Sequence, residues 1–131
     1  MAQLVVDGAD LVVHLSTREK IGGVHGDIRV PLTAIRSASV PRYPWLALRG
    51  WRMAGVGIPG RIALGTRRHG SGYDFCCVRK QERAVQVDVN YGRYSRFVIS
   101  VPDGVDAQEQ ADRIADSAGI ARSGPAPDDP I

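Results

Sequence analysis

Residues 84–101 read AVQVDVNYGRYSRFVISV, and this stretch decides the fold class. Val85, Val87 and Val89 alternate with Gln86, Asp88 and Asn90, so one side of the segment is apolar and the other polar. That period of two belongs to a half-buried antiparallel strand. Phe97, Ile99 and Val101 repeat it one strand later. Upstream, RIALGTRR (61–68) and YDFCCVR (73–79) follow the same spacing, with Gly or charged clusters between the segments. Four consecutive strands of this kind are expected to form a meander.

The period changes just downstream. Ala107, Ala111, Ile114, Ala115 and Ala118 fall on one helical face, with Asp112, Arg113 and Asp116 elsewhere. Asp106 with Glu109 supplies a capping-box start, and Gly119 followed by Ile120 a Schellman stop, so a helix is expected over 106–118. The tail ARSGPAPDDPI (121–131) has three prolines and no periodicity, and disorder is expected there.

Working back to the N-terminus, QLVVDGADLVVHLS (3–16) is a hairpin around Asp7-Gly8-Ala9-Asp10. DIRVPL (27–32) alternates, and Pro31 places that strand at an edge or ends it. TAIRSASV (33–40) is a further short strand, and STREKIGGVHG (16–26) has room for one helical turn. Residues 41–60 read as the least regular part, rich in Pro and Gly and holding both tryptophans. The expected class is therefore mainly β with one C-terminal α-helix, a single domain over 1–120.

GVGIPG (55–60) has the spacing of a dinucleotide-binding loop. Its context does not fit, because Pro59 interrupts it and the strand-like RIALGT follows where a helix N-terminus should hold the pyrophosphate. No nucleotide is expected. The glycines read instead as a turn into a bent strand, with Gly65 marking a bulge or a close crossing.

Catalytic chemistry is sparse in this sequence. His14, His25 and His69 have no metal-ligand neighbours at helical or strand spacing, and no G-x-S-x-G, H-E-x-x-H or C-x-x-C is present. A non-enzyme without metal or cofactor is expected. Cys76 and Cys77 are adjacent and point to opposite sides of a strand, one into the core and one half-exposed. Two reduced thiols and an N-terminus without a signal-peptide pattern suggest a cytoplasmic protein.

Charge is uneven. Residues 42–96 carry eleven basic against three acidic side chains, while 97–131 carry two against seven. Fifteen of the seventeen basic residues are arginine, whose planar fork suits phosphate and carboxylate. The candidate binding residues are Arg42, Trp45, Arg49, Trp51 and Arg52 in RYPWLALRGWR (42–52), with Arg61, Arg67 and Arg68 beyond the glycines.

The segments DIRVPLTAI (27–35), GVGIPGRIALGT (55–66), GYDFCCVR (72–79) and YSRFVISVPD (94–103) resemble bacterial pleckstrin-homology-like (PH-like) domains, an uncharacterised family. The resemblance covers nearly the whole chain except the tail, and departs from the family where Pro102-Asp103 stands for its usual Asp-Pro. It implies a split β-barrel of two antiparallel sheets capped by the helix, and binding rather than catalysis. Inositide headgroups are not expected at the first hairpin, because Asp7 and Asp10 make its loop acidic. A protein or peptide partner, or a second copy of the chain, would add to a sheet edge. The alternative is peripheral binding to an anionic membrane through 42–52; against it, Trp45 and Trp51 are expected to close the barrel or cover its seam. Nucleic acid is the least favoured partner, because the acidic helix offsets the basic middle.

Overall fold

A computed structural model describes residues 3–15, 27–48, 51–58, 61–69, 72–79, 82–101 and 104–122. Of positions 46, 47, 51–56, 58 and 69 only the backbone is described. The expected helical turn in 16–26 and the tail from residue 123 lie outside those residues.

The first hairpin joins β1 (Gln3–Asp7) to β2 (Asp10–His14) through a two-residue turn with Gly8 at φ 62°. Only glycine takes that conformation without strain. β2 then pairs antiparallel with β3 (Ile28–Pro31), which ends at its proline and forms one edge of a three-stranded sheet ordered β1-β2-β3. Arg29 on β3 reaches Asp10 and Asp7 of the turn, both at 2.9 Å, and so offsets one of the loop's two negative charges. His14 is an exposed strand residue paired with Asp27 at 2.9 Å.

A 3-10 turn at Leu32–Ala34 leads into β4 (Ile35–Ser39), and a second at Pro44–Ala47 precedes β5 (Trp51–Ile58). β6 (Ile62–His69), β7 (Gly72–Arg79), β8 (Ala84–Tyr91) and β9 (Tyr94–Ser100) complete a six-stranded sheet ordered β4-β8-β9-β7-β6-β5.

Three expectations need correction. The last four strands are not a meander: β9 is inserted between β7 and β8 and runs parallel to β7. The larger sheet is therefore mixed rather than antiparallel, and the two sheets do not close into a barrel. Nor is 51–58 irregular. Gly55 and Gly57 lie inside β5, opposite Gly65 and Ala63, rather than in a turn; Pro59 and Gly60 fall outside the described residues. Gly65 has φ 131°, and the register shift sits nearby, between Arg52 and Ala54.

The helix α1 (Ala107–Ala118) forms as its caps dictate. The Asp106 carboxylate accepts from the backbone N–H of Gln108 and Glu109. Gly119 takes φ 70°, and the Ile120 N–H donates to the Ala115 carbonyl at 3.0 Å, closing a Schellman motif. Ala107, Ala111 and Ile114 join the main core, which also holds Leu11, Val13 and Val30 of the small sheet and Phe75, Val87, Phe97 and Ile99 of the large one. The chain is thus mainly β, with two sheets and a C-terminal helix around one principal core.

The opposite face of the large sheet is also covered. Ala63, Cys76, Val78, Ala84 and Val98 form a second cluster, with Trp45 and Leu48 packed against it. Cys76 and Cys77 do point to opposite faces, but neither is half-exposed: Cys77 enters the main core and Cys76 the second cluster. The reason is the cover supplied by Trp45 and Leu48, which strand periodicity alone does not reveal.

Candidate functional site

The strands of the large sheet share two ends. At one lie the start of β6 and the ends of β7 and β9; at the other lie the ends of β6 and β8 and the starts of β5, β7 and β9. The second end includes the β8–β9 hairpin and is called the hairpin end below. The strands divide the sequence-derived candidates between these ends. Arg61 is exposed at the start of β6, and Trp45 is half-buried against the cluster of Ala63, Cys76, Val78, Ala84 and Val98. Arg67 and Arg68 stand at the hairpin end, with β5 positions Trp51 and Arg52 in register with Arg68 and Arg67. Seven residues of strand separate Arg61 from Arg68, about 23 Å at 3.3 Å per residue. Arg42 stacks near its neighbour Tyr43 at 5.6 Å, and Arg49 lies outside the described residues. The stretch 42–52 is thus not a single binding loop, since its last two residues belong to an edge strand.

At the hairpin end, one register row crosses the whole sheet. From β4 to β5 it reads Ser37, Asp88, Arg96, Asp74, Arg67 and Arg52. The Arg96 Nε donates to Asp88 at 2.7 Å, and the Ser37 hydroxyl donates to the same carboxylate at 3.1 Å. Asp74 is buried, with arginines at both register neighbours, Arg67 and Arg96. Directly opposed unlike charges stabilise a sheet and like charges destabilise it. Alternation therefore explains four strands of this row, and it fails at the β5 edge, where Arg52 opposes Arg67.

The tip of the β8–β9 hairpin separates two clefts. One, of about 580 Å³, is polar and is lined by Arg36, Ser37, Asp88, Arg93, Ser95 and Arg96, among others. The other, of about 400 Å³, is lined by Thr66, Tyr73, Tyr91, Gly92, Arg93 and Tyr94. Arg93 lies 6.0 Å from the ring centre of Tyr73, while Tyr94 packs on Phe97 with ring centres 5.4 Å apart. Burial pushes the Tyr94 hydroxyl above its ordinary pKa. Gly72 holds the hairpin against β7: an added Cβ would collide with the Ser95 side chain, and the Tyr73 N–H donates to the Arg93 carbonyl at 2.6 Å.

Comparison with protein-family models, curated proteins and solved structures gives no match.

Sequence reasoning passed over Tyr73, Tyr91, Arg93 and Tyr94, the aromatic and basic side chains that this end brings together. The available signal was Tyr91-Gly92-Arg93-Tyr94, a hairpin tip with unusually bulky flanks. Among the described residues, no three His, Cys, Asp or Glu side chains are grouped to hold a metal ion. No helix among the described residues is long and apolar enough to cross a membrane. Cys76 is a poor nucleophile in this state, since burial pushes its thiol up to about 11.

Proposed function

We propose that this protein is a non-catalytic binding module that accepts an extended polypeptide segment, from a partner or from a second copy, along the outer edge of β5. The observation that carries this reading is the charge row that ends on Arg67 and Arg52 in succession. An added strand bearing Asp or Glu opposite Arg52 would continue the alternation that the other strands obey.

The other sheet edges fit less well. β1 has five residues, and the Gln110 side chain donates to its Leu4 carbonyl at 3.0 Å. β3 has four and ends in Pro31, while β4 lies under α1. β5 has eight residues, no proline and two glycines, the profile of an edge that natural proteins otherwise shield.

The order of hairpin, further strands and C-terminal helix supports a PH-like architecture, and the parallel β7–β9 pair is a departure from it. An anionic membrane is the second reading; in its favour is the exposed Tyr43 beside Arg42, while Trp45 packs against the sheet.

Selection from a display library of random peptides tests the proposal. Recovered peptides are expected to carry an acidic residue and to lose binding to Gly57→Lys, which puts a charge on the exposed edge position. Peptides without acidic residues that bind Gly57→Lys as well as the parent chain would contradict it.

A further inference from the structure

The hairpin end carries a second register row, on the face opposite the charge row. From β8 to β6 it reads Tyr91, Tyr94, Tyr73 and Arg68. Register partners share a sheet face, and Tyr94 packs on Phe97, so this is the face that holds the main core. The row lies at the margin of that core: Tyr94 and Tyr73 are half-buried, while Tyr91 and Arg68 are exposed. The Arg93 guanidinium stands 6.0 Å from the Tyr73 ring centre. Among the described residues, neither Arg68 nor Arg93 pairs with a carboxylate. The result is an aromatic ledge with a positive charge at Arg68 and another beside Tyr73, crossing three strand spacings, about 14 Å.

Residues 123–131, which follow the last described residue, read SGPAPDDPI. Proline fixes its own φ and confines the residue before it to extended backbone, so Pro125, Pro127 and Pro130 favour polyproline II over this stretch. Segments of that kind dock on aromatic-lined surfaces at little cost in ordering. The dimensions agree with the ledge. At about 3.1 Å per residue, the steps from Pro125 to Pro130 cover about 15 Å, the length of the row. A polyproline turn takes three residues, so Pro127 and Pro130 face the same way about 9 Å apart. That matches the two strand spacings, about 10 Å, from Tyr91 to Tyr73. Asp128 and Asp129, between those prolines, bring negative charge to Arg68 and Arg93. The same prolines bar this stretch from the β5 edge, because they cannot donate to a ladder.

We infer that the row Tyr91, Tyr94, Tyr73 and Arg68 is the docking surface for residues 125–130 of a second copy of this chain. A second copy supplies the segment because the tether within one molecule is short. The Arg122 guanidinium donates to Asp116 at 2.6 Å, and only Ser123 and Gly124 separate Arg122 from Pro125. A chain's own segment therefore starts within about 10 Å of Arg122, beside a helix that packs on β4 and β8, while the row runs the other way to β6. A second copy meets no such limit. The contact is separate from strand addition and takes no hydrogen bond from β5.

Light scattering of the full chain over a concentration series tests the inference. The mass should rise above that of one chain as concentration increases. Changing Pro127→Ala and Pro130→Ala together should move the midpoint of association about tenfold higher in concentration, the effect of losing one well-packed interface contact. Tyr91→Ala, at an exposed position, should do the same without disturbing the core. Asp128→Asn with Asp129→Asn should cost about fivefold, and added salt should act on the parent chain in the same direction. A mixture of the proline variant, which keeps the row, with Tyr91→Ala, which keeps the segment, should recover association that neither shows alone. A single-chain mass at every concentration, or association indifferent to the proline or the Tyr91 change, would overturn the inference. Association lost in Gly57→Lys yet kept in those variants would overturn it too, and would leave the β5 reading standing.

Discussion

One face of the six-stranded sheet buries Phe75, Val87, Phe97 and Ile99 against the small sheet and the helix. The other carries small residues, Ala63, Cys76 and Val98, under Trp45 at one end, and a row of alternating charges at the hairpin end. The first face is the ordinary solution for a half-buried sheet, large side chains filling a shared core. The second shows how a sheet whose cover, among the described residues, is one short segment is completed. Small side chains lie under the tryptophan, and beyond that cover the Arg96–Asp88 ion pair joins β9 to β8. The proposed binding edge lies at the end of this second face, where Arg52 stands in register with Arg67.

The largest expected difference between the faces is in truncation energy. Phe97→Ala should cost about 3–5 kcal/mol, whereas Val98→Ala, one residue on and facing the thin cover, should cost about 2 kcal/mol. Urea denaturation of both variants measures this; equal losses would mean that the second face is as tightly built as the first.

That difference also explains what the sequence revealed. Helix α1 was legible because Asp106 and Gly119 mark its ends chemically, and the β1–β2 hairpin because Asp7-Gly8 specifies its turn. Strand periodicity in 84–101 identified β8 and β9, yet it is silent on neighbours. β9 presents the same alternating faces whether it pairs with β8 alone or also slots beside β7. β5 escaped because its glycines carry no hydropathy signal and the register shift after Arg52 breaks its parity. The candidate site was half legible. Arg67 and Arg68 were found from charge, but their grouping with Tyr73 and Arg93 depends on strand order, which no local pattern encodes.

The next effect concerns pH. The buried Cys76 thiol is held at about 11, above its ordinary value, by desolvation, which Arg67 opposes and Asp74 reinforces to a lesser degree. Between pH 9 and 11 the unfolded thiol releases its proton while the folded one keeps it, so stability falls as pH rises. The loss from this group is of the order of 2 kcal/mol by pH 11. Denaturation midpoints of the parent chain and Cys76→Ala across that range should converge; parallel curves would show that Cys76 is not closed off by Trp45.

The smallest effect sharpens the row itself. Arg52→Glu restores alternation opposite Arg67 and should stabilise the chain by about 0.2–1 kcal/mol at low salt. A destabilised variant would mean that the row does not govern this edge. The same change should remove affinity for acidic peptides, so stability and binding move in opposite directions.

Amide hydrogen exchange along β5 tests the central claim most directly. With a selected acidic peptide bound, or at high protein concentration if the partner is a second copy, exchange over Trp51–Ile58 should slow markedly, while β1 and β3 keep their free-state rates. Unchanged exchange in β5 with new protection along β1 or β3 would contradict the assignment of β5 as the binding edge.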